Sequence, residues 1–405
     1  MYVCLHGQHV VHLLVLCCVF VLSASARDGA SDMRDLVIAL LCAVLATAQP
    51  SCTDDLRAQL PKATLEDITL PKDADLSAAR DIFSRYGVLV VRGLMAEHAP
   101  RVRDAATAAF HKSVELMEAG HIEAVQNDDN VVGWVTPDQT LFIPAPEGHV
   151  RDRQVMVLAL DYQSDASMLQ AATEPKVLDL LEAMLGWTRI ETFGKGQCFY
   201  KEAIQNARTL GGISAKMAGP NATTDERIGA GIQPGGNPKY LHQDSAYFMF
   251  AHEGAVATFS FAVDTSGALD NGPLYVVPGS HKLGHLEHID TPSHLGVSGD
   301  WTFDDALRID GQAGDCVFFH IHALHGSTPN RSPNPRPVFI NRYLEASDYQ
   351  TYFGTDARMR EKAKAEYEEG VRLGRKPEKE RGIMVRGRRE WTGQTTWRMD
   401  ARVNH

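Results

Sequence analysis

The residues in this chain that could do chemistry are a close pair, His242 and Asp244 in His242-Gln243-Asp244, and a distant His325 that opens a His-Gly-Ser run. Two imidazoles and one carboxylate bind a divalent metal on one face and leave coordination positions open, the donor set of non-haem Fe(II) sites. Residues two apart on a β-strand point to the same face, so an extended segment lets His242 and Asp244 reach one metal together. His325 must then arrive from another strand that the fold brings alongside. Arg336, eleven residues further on, lies in a run that also reads as strand. Its planar fork suits the carboxylate of an acidic co-substrate. Three open metal positions accommodate a bidentate co-substrate and O2, whereas hydrolytic zinc needs one and structural zinc none. The pattern points to an oxygenase.

A lone His-x-Asp is weak evidence in a chain with 17 histidines. The strand context, the distal His-Gly-Ser and the following arginine sharpen it. His320 and His322 form a competing His-x-His, but each is an odd number of residues from His325 and faces the other way on a regular strand. His281, His285 and His288 fall in a polar loop and read as structural or solvent-exposed.

Several elements must position these groups. Apolar spacing predicts helices over 76–86, 97–120 and 177–185, and a charged helix over 358–373. Runs rich in β-branched and aromatic residues predict strands at 87–93, 190–200, 256–263, 273–278, 314–321 and 337–344. Asn271-Gly272 is a tight-turn signal between two of them. Residues 205–239 are rich in Gly, Pro and Ala without apolar periodicity, which reads as a lid over the site or a disordered insertion. The Arg- and Gly-rich tail is expected to be poorly ordered. Many short strands preceded by helices predict a mainly β fold with α additions, a jelly roll in a helical jacket.

The 405 residues carry a formal charge of −11, which gives no general attraction to nucleic acid or an anionic membrane. From Asp356 onward, Lys and Arg outnumber Asp and Glu by about five. That basic segment either covers an anionic substrate or forms a solvated helix. Four of the seven cysteines (Cys4, Cys17, Cys18, Cys42) lie in the apolar N-terminal region, and no C-x-x-C pair occurs. Neither a disulfide framework nor a zinc site follows. Cys198 and Cys316, in apolar strand-like runs, read as small buried hydrophobes. Two segments, His12–Leu22 before Ser23-Ala24-Ser25-Ala26 and Leu36–Leu45 before Ala46-Thr47-Ala48, look like secretory signal cores. Both are short for a membrane span, so no stable span is expected after signal removal. Met33 is an alternative start. Location follows from this segment: secretory or extracytoplasmic if it acts as a signal, cytoplasmic otherwise. Asn221-Ala222-Thr223 and Asn330-Arg331-Ser332 would be open to glycosylation in a secreted chain, the second weakened by Pro333.

Three blocks resemble the phytanoyl-CoA dioxygenase family, a branch of the Fe(II)/2-oxoglutarate oxygenases. They are His242-Gln243-Asp244-Ser245-Ala246-Tyr247-Phe248, the stretch from Asn271-Gly272-Pro273 to Pro278-Gly279-Ser280-His281-Lys282, and Gly314-Asp315-Cys316 through His325-Gly326-Ser327. The similarity runs in order from about Arg80 to Leu344. The resemblance implies a double-stranded β-helix with His242, Asp244 and His325 as iron ligands. It further implies that Arg336 and Ser327 hold the distal carboxylate of 2-oxoglutarate, with Lys201 near the co-substrate. Implied cofactors are Fe(II), 2-oxoglutarate and O2, with ascorbate as an optional reductant. The implied reaction is hydroxylation of a small-molecule or lipid-like substrate, releasing succinate and CO2. Related halogenases carry a small residue in place of the carboxylate, so Asp244 favours hydroxylation. The expected organisation is a signal-like or mis-assigned extension over 1–50, an oxygenase domain over 51–355 with an insertion at 205–239, and a basic helix and tail over 356–405. Two other readings stand beside this one, a jelly-roll binding module without turnover and a cupin-type metal enzyme that does not use 2-oxoglutarate.

Overall fold

The computed structural model describes residues 52–127, 130–145, 151–203, 239–252, 254–290, 294–354, 356–374 and 382–389. The signal-like segments, Asn221 and the 205–238 part of the insertion lie outside these. The chain divides into a unit over Met1–Leu60 and a second over Pro61–His405. What is described of the first is a short helix, Cys52–Arg57, in which Arg57 pairs with Asp54 at 2.8 Å. Among the described residues no helix is long and apolar enough to cross a membrane.

The second unit is built around eight strands: β1 (Gln197–Lys201), β2 (Lys239–His242), β3 (Val256–Phe261), β4 (Leu274–Val276), β5 (Leu307–Ile309), β6 (Cys316–His320), β7 (His325–Ser327) and β8 (Arg336–Glu345). Hydrogen bonding places β6, β3, β8 and β1 side by side in a large sheet, and β5, β4, β7 and β2 in a small one. Apart from the β4 to β5 step, each connection crosses from one sheet to the other. That is the double-stranded β-helix, or jelly roll. The large sheet continues past β6 through Val88–Arg92 and Thr69–Pro71, and past β1 through four more strands between Glu123 and Leu158.

Both faces of the large sheet are buried. Along β8, Val338 and Ile340 pack into the barrel with Phe259, Phe261, Val276 and Phe319, whereas Phe339 and Tyr343 pack outward. The outward residues meet helices α1 (Leu76–Tyr86), α2 (Ala99–Glu118), α3 (Ala166–Ala172) and α4 (Pro175–Leu185). This period-2 alternation with apolar residues on both sides explains why these strands read as continuous hydrophobic runs. The helices have local causes as well. Asp75 caps α1 by accepting from the Ser77 N–H at 3.0 Å, and Gly87 ends it in the left-handed region at φ 66°. A fifth helix, α5 (Ala357–Arg372), follows the barrel, and its Arg360 donates to the Ser245 carbonyl.

Several expectations need correction. The run 190–200 is two strands, Ile190–Thr192 and β1, because Gly194 and Gly196 turn the chain at φ 71° and 72°. The four strands between Glu123 and Leu158 were not anticipated, since they are short and lack a strong apolar alternation. The tail is not wholly without structure, as Ile383–Arg386 pairs with Ile190–Thr192. Asn271-Gly272 does turn, with Asp270 and Gly272 at positive φ, but it joins strands of different sheets and makes no hairpin. Asn330 is fully buried and donates to the carbonyls of Lys201 and Asn334 at 3.1 and 2.8 Å, so it is a structural amide and no glycosylation acceptor. Cys198 and Cys316 are buried free thiols, both pushed up to about 12 by burial.

Candidate metal and co-substrate site

β2 ends at His242, Gln243 continues extended at φ −109° and ψ 140°, and Asp244 opens a single 3-10 turn to Ala246. Asp244 therefore stands just beyond the strand, and the extended Gln243 keeps it on the same side as His242. β7 pairs antiparallel with β2 so that His325 lies directly opposite His242. The ligating atoms of His242, Asp244 and His325 all fall within 4.8 Å of one another, and all three residues are buried. His325 Nε2 is 3.8 Å from Asp244 Oδ1. Among the described residues no other His, Cys, Asp or Glu joins this group.

The hydrogen bonds settle which nitrogens are free. His242 Nδ1 faces the Tyr240 carbonyl at 2.7 Å and His325 Nδ1 the Ala323 carbonyl at 3.0 Å. A carbonyl only accepts, so each Nδ1 carries the proton and each Nε2 keeps its lone pair for a metal. Burial, with the second imidazole beside it, holds His242 well below its ordinary value, and burial also lowers His325. Burial alone would raise Asp244, but Arg342 and the two imidazoles more than offset it and hold the carboxyl below its usual range. Two neutral imidazoles and one charged carboxylate are the protonation states a divalent cation requires. The residues fit a metal.

Arg342, which nothing in the spacing singles out, donates from Nε to Asp244 Oδ2 at 3.0 Å and from Nη1 to Gln197 Oε1 at 2.7 Å. Gln243 fixes the turn from the other side. Its Nε2 donates to the carbonyls of Gly284 and His322, each at 2.7 Å, and its Oε1 accepts from Leu286 N–H at 2.7 Å. His294 was also missed, and it packs edge-on against His242 with centroids 4.8 Å apart. His281, His285, His288, His320 and His322 form a separate ring-packed cluster, away from the triad's ligating atoms. His288 Nε2 accepts from the Gln243 N–H at 3.0 Å, so that cluster supports the turn.

Arg336 starts β8 and is six residues from Arg342, so both share the inward face with Val338 and Ile340 between them. At about 3.3 Å per residue the two arginines are roughly 20 Å apart along the strand. Arg336 is 1% exposed, and its Nε approaches the Asn271 carbonyl at 3.4 Å. Burial pushes its guanidinium down to about 9, still charged at neutral pH. Lys201 lies opposite Arg336 in the β1–β8 register, and its Nζ donates to the carbonyls of Ser327, at 3.2 Å, and Thr328. Ser327 is buried two residues after His325. All six sequence-derived candidates thus line one barrel, with the triad toward one end and Arg336, Lys201 and Ser327 deeper along it.

Residues 83–338, more than half of the chain, match the phytanoyl-CoA dioxygenase family. The chain belongs to this family. Peroxisomal phytanoyl-CoA dioxygenase of Bos taurus is 23% identical over 276 residues, covering 66% of this chain and 68% of the bovine enzyme. Methylphosphonate hydroxylase of Gimesia maris is 32% identical over 132 residues, 31% of this chain and 47% of that one. L-proline trans-4-hydroxylase of Streptomyces griseoviridis is 28% identical over 156 residues, 29% and 58% of the two chains. The chain therefore matches about half of the length of the two bacterial relatives. Family membership makes the protein an oxygenase, in keeping with the His-Asp-His group inside its barrel.

Proposed function

We propose that this chain is an Fe(II)- and 2-oxoglutarate-dependent dioxygenase that hydroxylates a small-molecule or lipid-like substrate, with succinate and CO2 as co-products. The observation that carries the proposal is the pairing, inside one barrel, of a three-sided metal group on the small sheet with a buried arginine on the large sheet that, among the described residues, has no carboxylate partner. His242, Asp244 and His325 would hold the metal and leave three positions free. Iron so bound supplies oxidative decarboxylation of a 2-oxo acid and transfer of oxygen to a C–H bond. The protein's own part is placement. Arg336 supplies a planar fork for the distal carboxylate, Ser327 adds a hydroxyl beside it, and the apolar barrel wall excludes water between the two ends. Lys201 braces the β7 end by donating to two carbonyls. Two relatives that are named as hydroxylases, of methylphosphonate and of L-proline, favour hydroxylation of a small molecule.

The test is anaerobic loading with Fe(II) and 2-oxoglutarate, exposure to O2 and quantification of succinate. Wild type should release succinate and His242→Ala should not. Arg336→Leu should raise the KM for 2-oxoglutarate by at least about 30-fold, the equivalent of roughly 2 kcal/mol for stranding a buried carboxylate. Failure of the wild type to bind Fe(II) and 2-oxoglutarate together would sink the proposal.

A further inference from the structure

Lys239, the first residue of β2, is a cation in the same barrel that the roles assigned so far do not use. On a regular strand a residue three positions before His242 would point away from it. The β2–β7 pairing is not regular. His325 faces His242 and Ser327 faces Lys239, so two steps on β7 answer three on β2. The extra residue is a bulge, and a bulge resets which side chains face in. Lys239 thereby takes the side of its partner Ser327, the inward one. Its ammonium lies 5.6 Å from the centroid of Phe199, which packs against the barrel's inner cluster two residues before Lys201.

The charge pattern agrees with that placement. The Lys239 ammonium helps hold Lys201, His242 and His294 below their ordinary values. Burial pushes its ammonium down to about 7, and burial with Arg336 and Lys239 nearby drives Lys201 well below its ordinary value. Among the described residues no carboxylate lies within 4.0 Å of Lys201, Lys239 or Arg336. These basic groups share the barrel without a carboxylate partner among the described residues.

We propose that Lys239 is a second anchor for the distal carboxylate of 2-oxoglutarate, reaching it from the small sheet beside its register partner Ser327. The assignment rests on the 2-oxoglutarate chemistry proposed for this chain. A carboxylate has about four acceptor sites, and a buried one is stable only when most are filled. The Arg336 fork fills two, Ser327 offers a third donor, and Lys239, paired with Ser327, can supply a fourth. Lys201 already donates to two carbonyls.

The experiment is calorimetric titration of 2-oxoglutarate, under argon, into the full chain loaded with Mn(II). Lys239→Met should raise the Kd about tenfold to hundredfold, as for loss of one charge-assisted hydrogen bond. Mn(II) affinity should be unchanged, and Lys239→Arg should recover most of the binding. 2-Oxovalerate, which lacks the distal carboxylate, should bind wild type and Lys239→Met equally. An unchanged Kd for 2-oxoglutarate in Lys239→Met, with Arg336→Leu weakened, overturns the anchor and leaves the proposed function standing. An equal loss for both oxo acids marks a merely structural lysine and also overturns it. A wild type that binds Mn(II) but no 2-oxoglutarate overturns both proposals.

Discussion

At the scale of single residues, the two oxygens of Asp244 have different work. Oδ1 faces His325 Nε2, on the side where a metal would sit, and Oδ2 accepts from Arg342 Nε. A carboxylate held by one oxygen resists rotation, and it offers the other in a preferred direction. Arg342 also keeps the group charged. With the guanidinium removed, the strongest influence opposing burial is lost and the carboxyl rises from its present depressed value. Protons then compete with the metal at higher pH than before. Arg342→Gln should therefore weaken Co(II) or Fe(II) binding about 10- to 100-fold, the usual effect of losing a partner that orients a ligand. The loss should deepen as pH falls from 7 to 5. Metal titrations of wild type and variant at both pH values check this, and equal affinities at pH 5 would show that Arg342 does not control the ligand.

At the scale of elements, the site depends on how closely β7 approaches β2. Gly326 sits between His325 and Ser327, and a Cβ there would come 2.5 Å from the Lys239 carbonyl oxygen and 2.9 Å from the Tyr240 carbonyl carbon. These are backbone atoms, so the strands themselves would have to part. Gly326→Ala should loosen the pairing that sets His325 opposite His242. Weaker metal binding should follow with little change in helical circular dichroism, and full retention of metal affinity would show that the strands can yield. This also marks the limit of what could be read beforehand. His242, Asp244, His325 and Arg336 were legible because each is a functional type at a spacing that strand geometry can use. Lys239 was not, because its inward face comes from a bulge, and a bulge is a property of two strands paired. Arg342 was hidden in a run whose apolar neighbours made it read as ordinary strand, although it is an even six residues from Arg336. The barrel strands were legible as apolar runs. The hairpins over 123–158 were not, because their short edge strands carry little alternation.

At the scale of the whole molecule, the barrel is crowded with imidazoles that are neutral in the fold. Burial pushes His281 and His288 down to about 4 and His320 to about 3, and it holds His242 and His294 well below their ordinary value. An unfolded chain protonates each of them near pH 6.5. Between that value and the lower folded ones, the unfolded state binds more protons than the native state, so stability falls as pH falls. Each such group costs about 1.4 kcal/mol per pH unit, and three of them cost about 4 kcal/mol against a typical total of about 5–15 kcal/mol. The metal-free protein should therefore show a urea midpoint that drops steadily from pH 7 to pH 5, well before the carboxylates titrate. A flat midpoint across that range would show that the imidazoles find protons or water in the folded state. The cost has a structural origin. Gln243 holds the metal turn by binding the segments that carry His285, His288 and His322. Protonating the His288 ring would remove the acceptor that the Gln243 N–H now uses. Acid should thus loosen the turn that presents His242 and Asp244 before it unfolds the barrel, and metal affinity should be lost at a higher pH than the β-sheet signal.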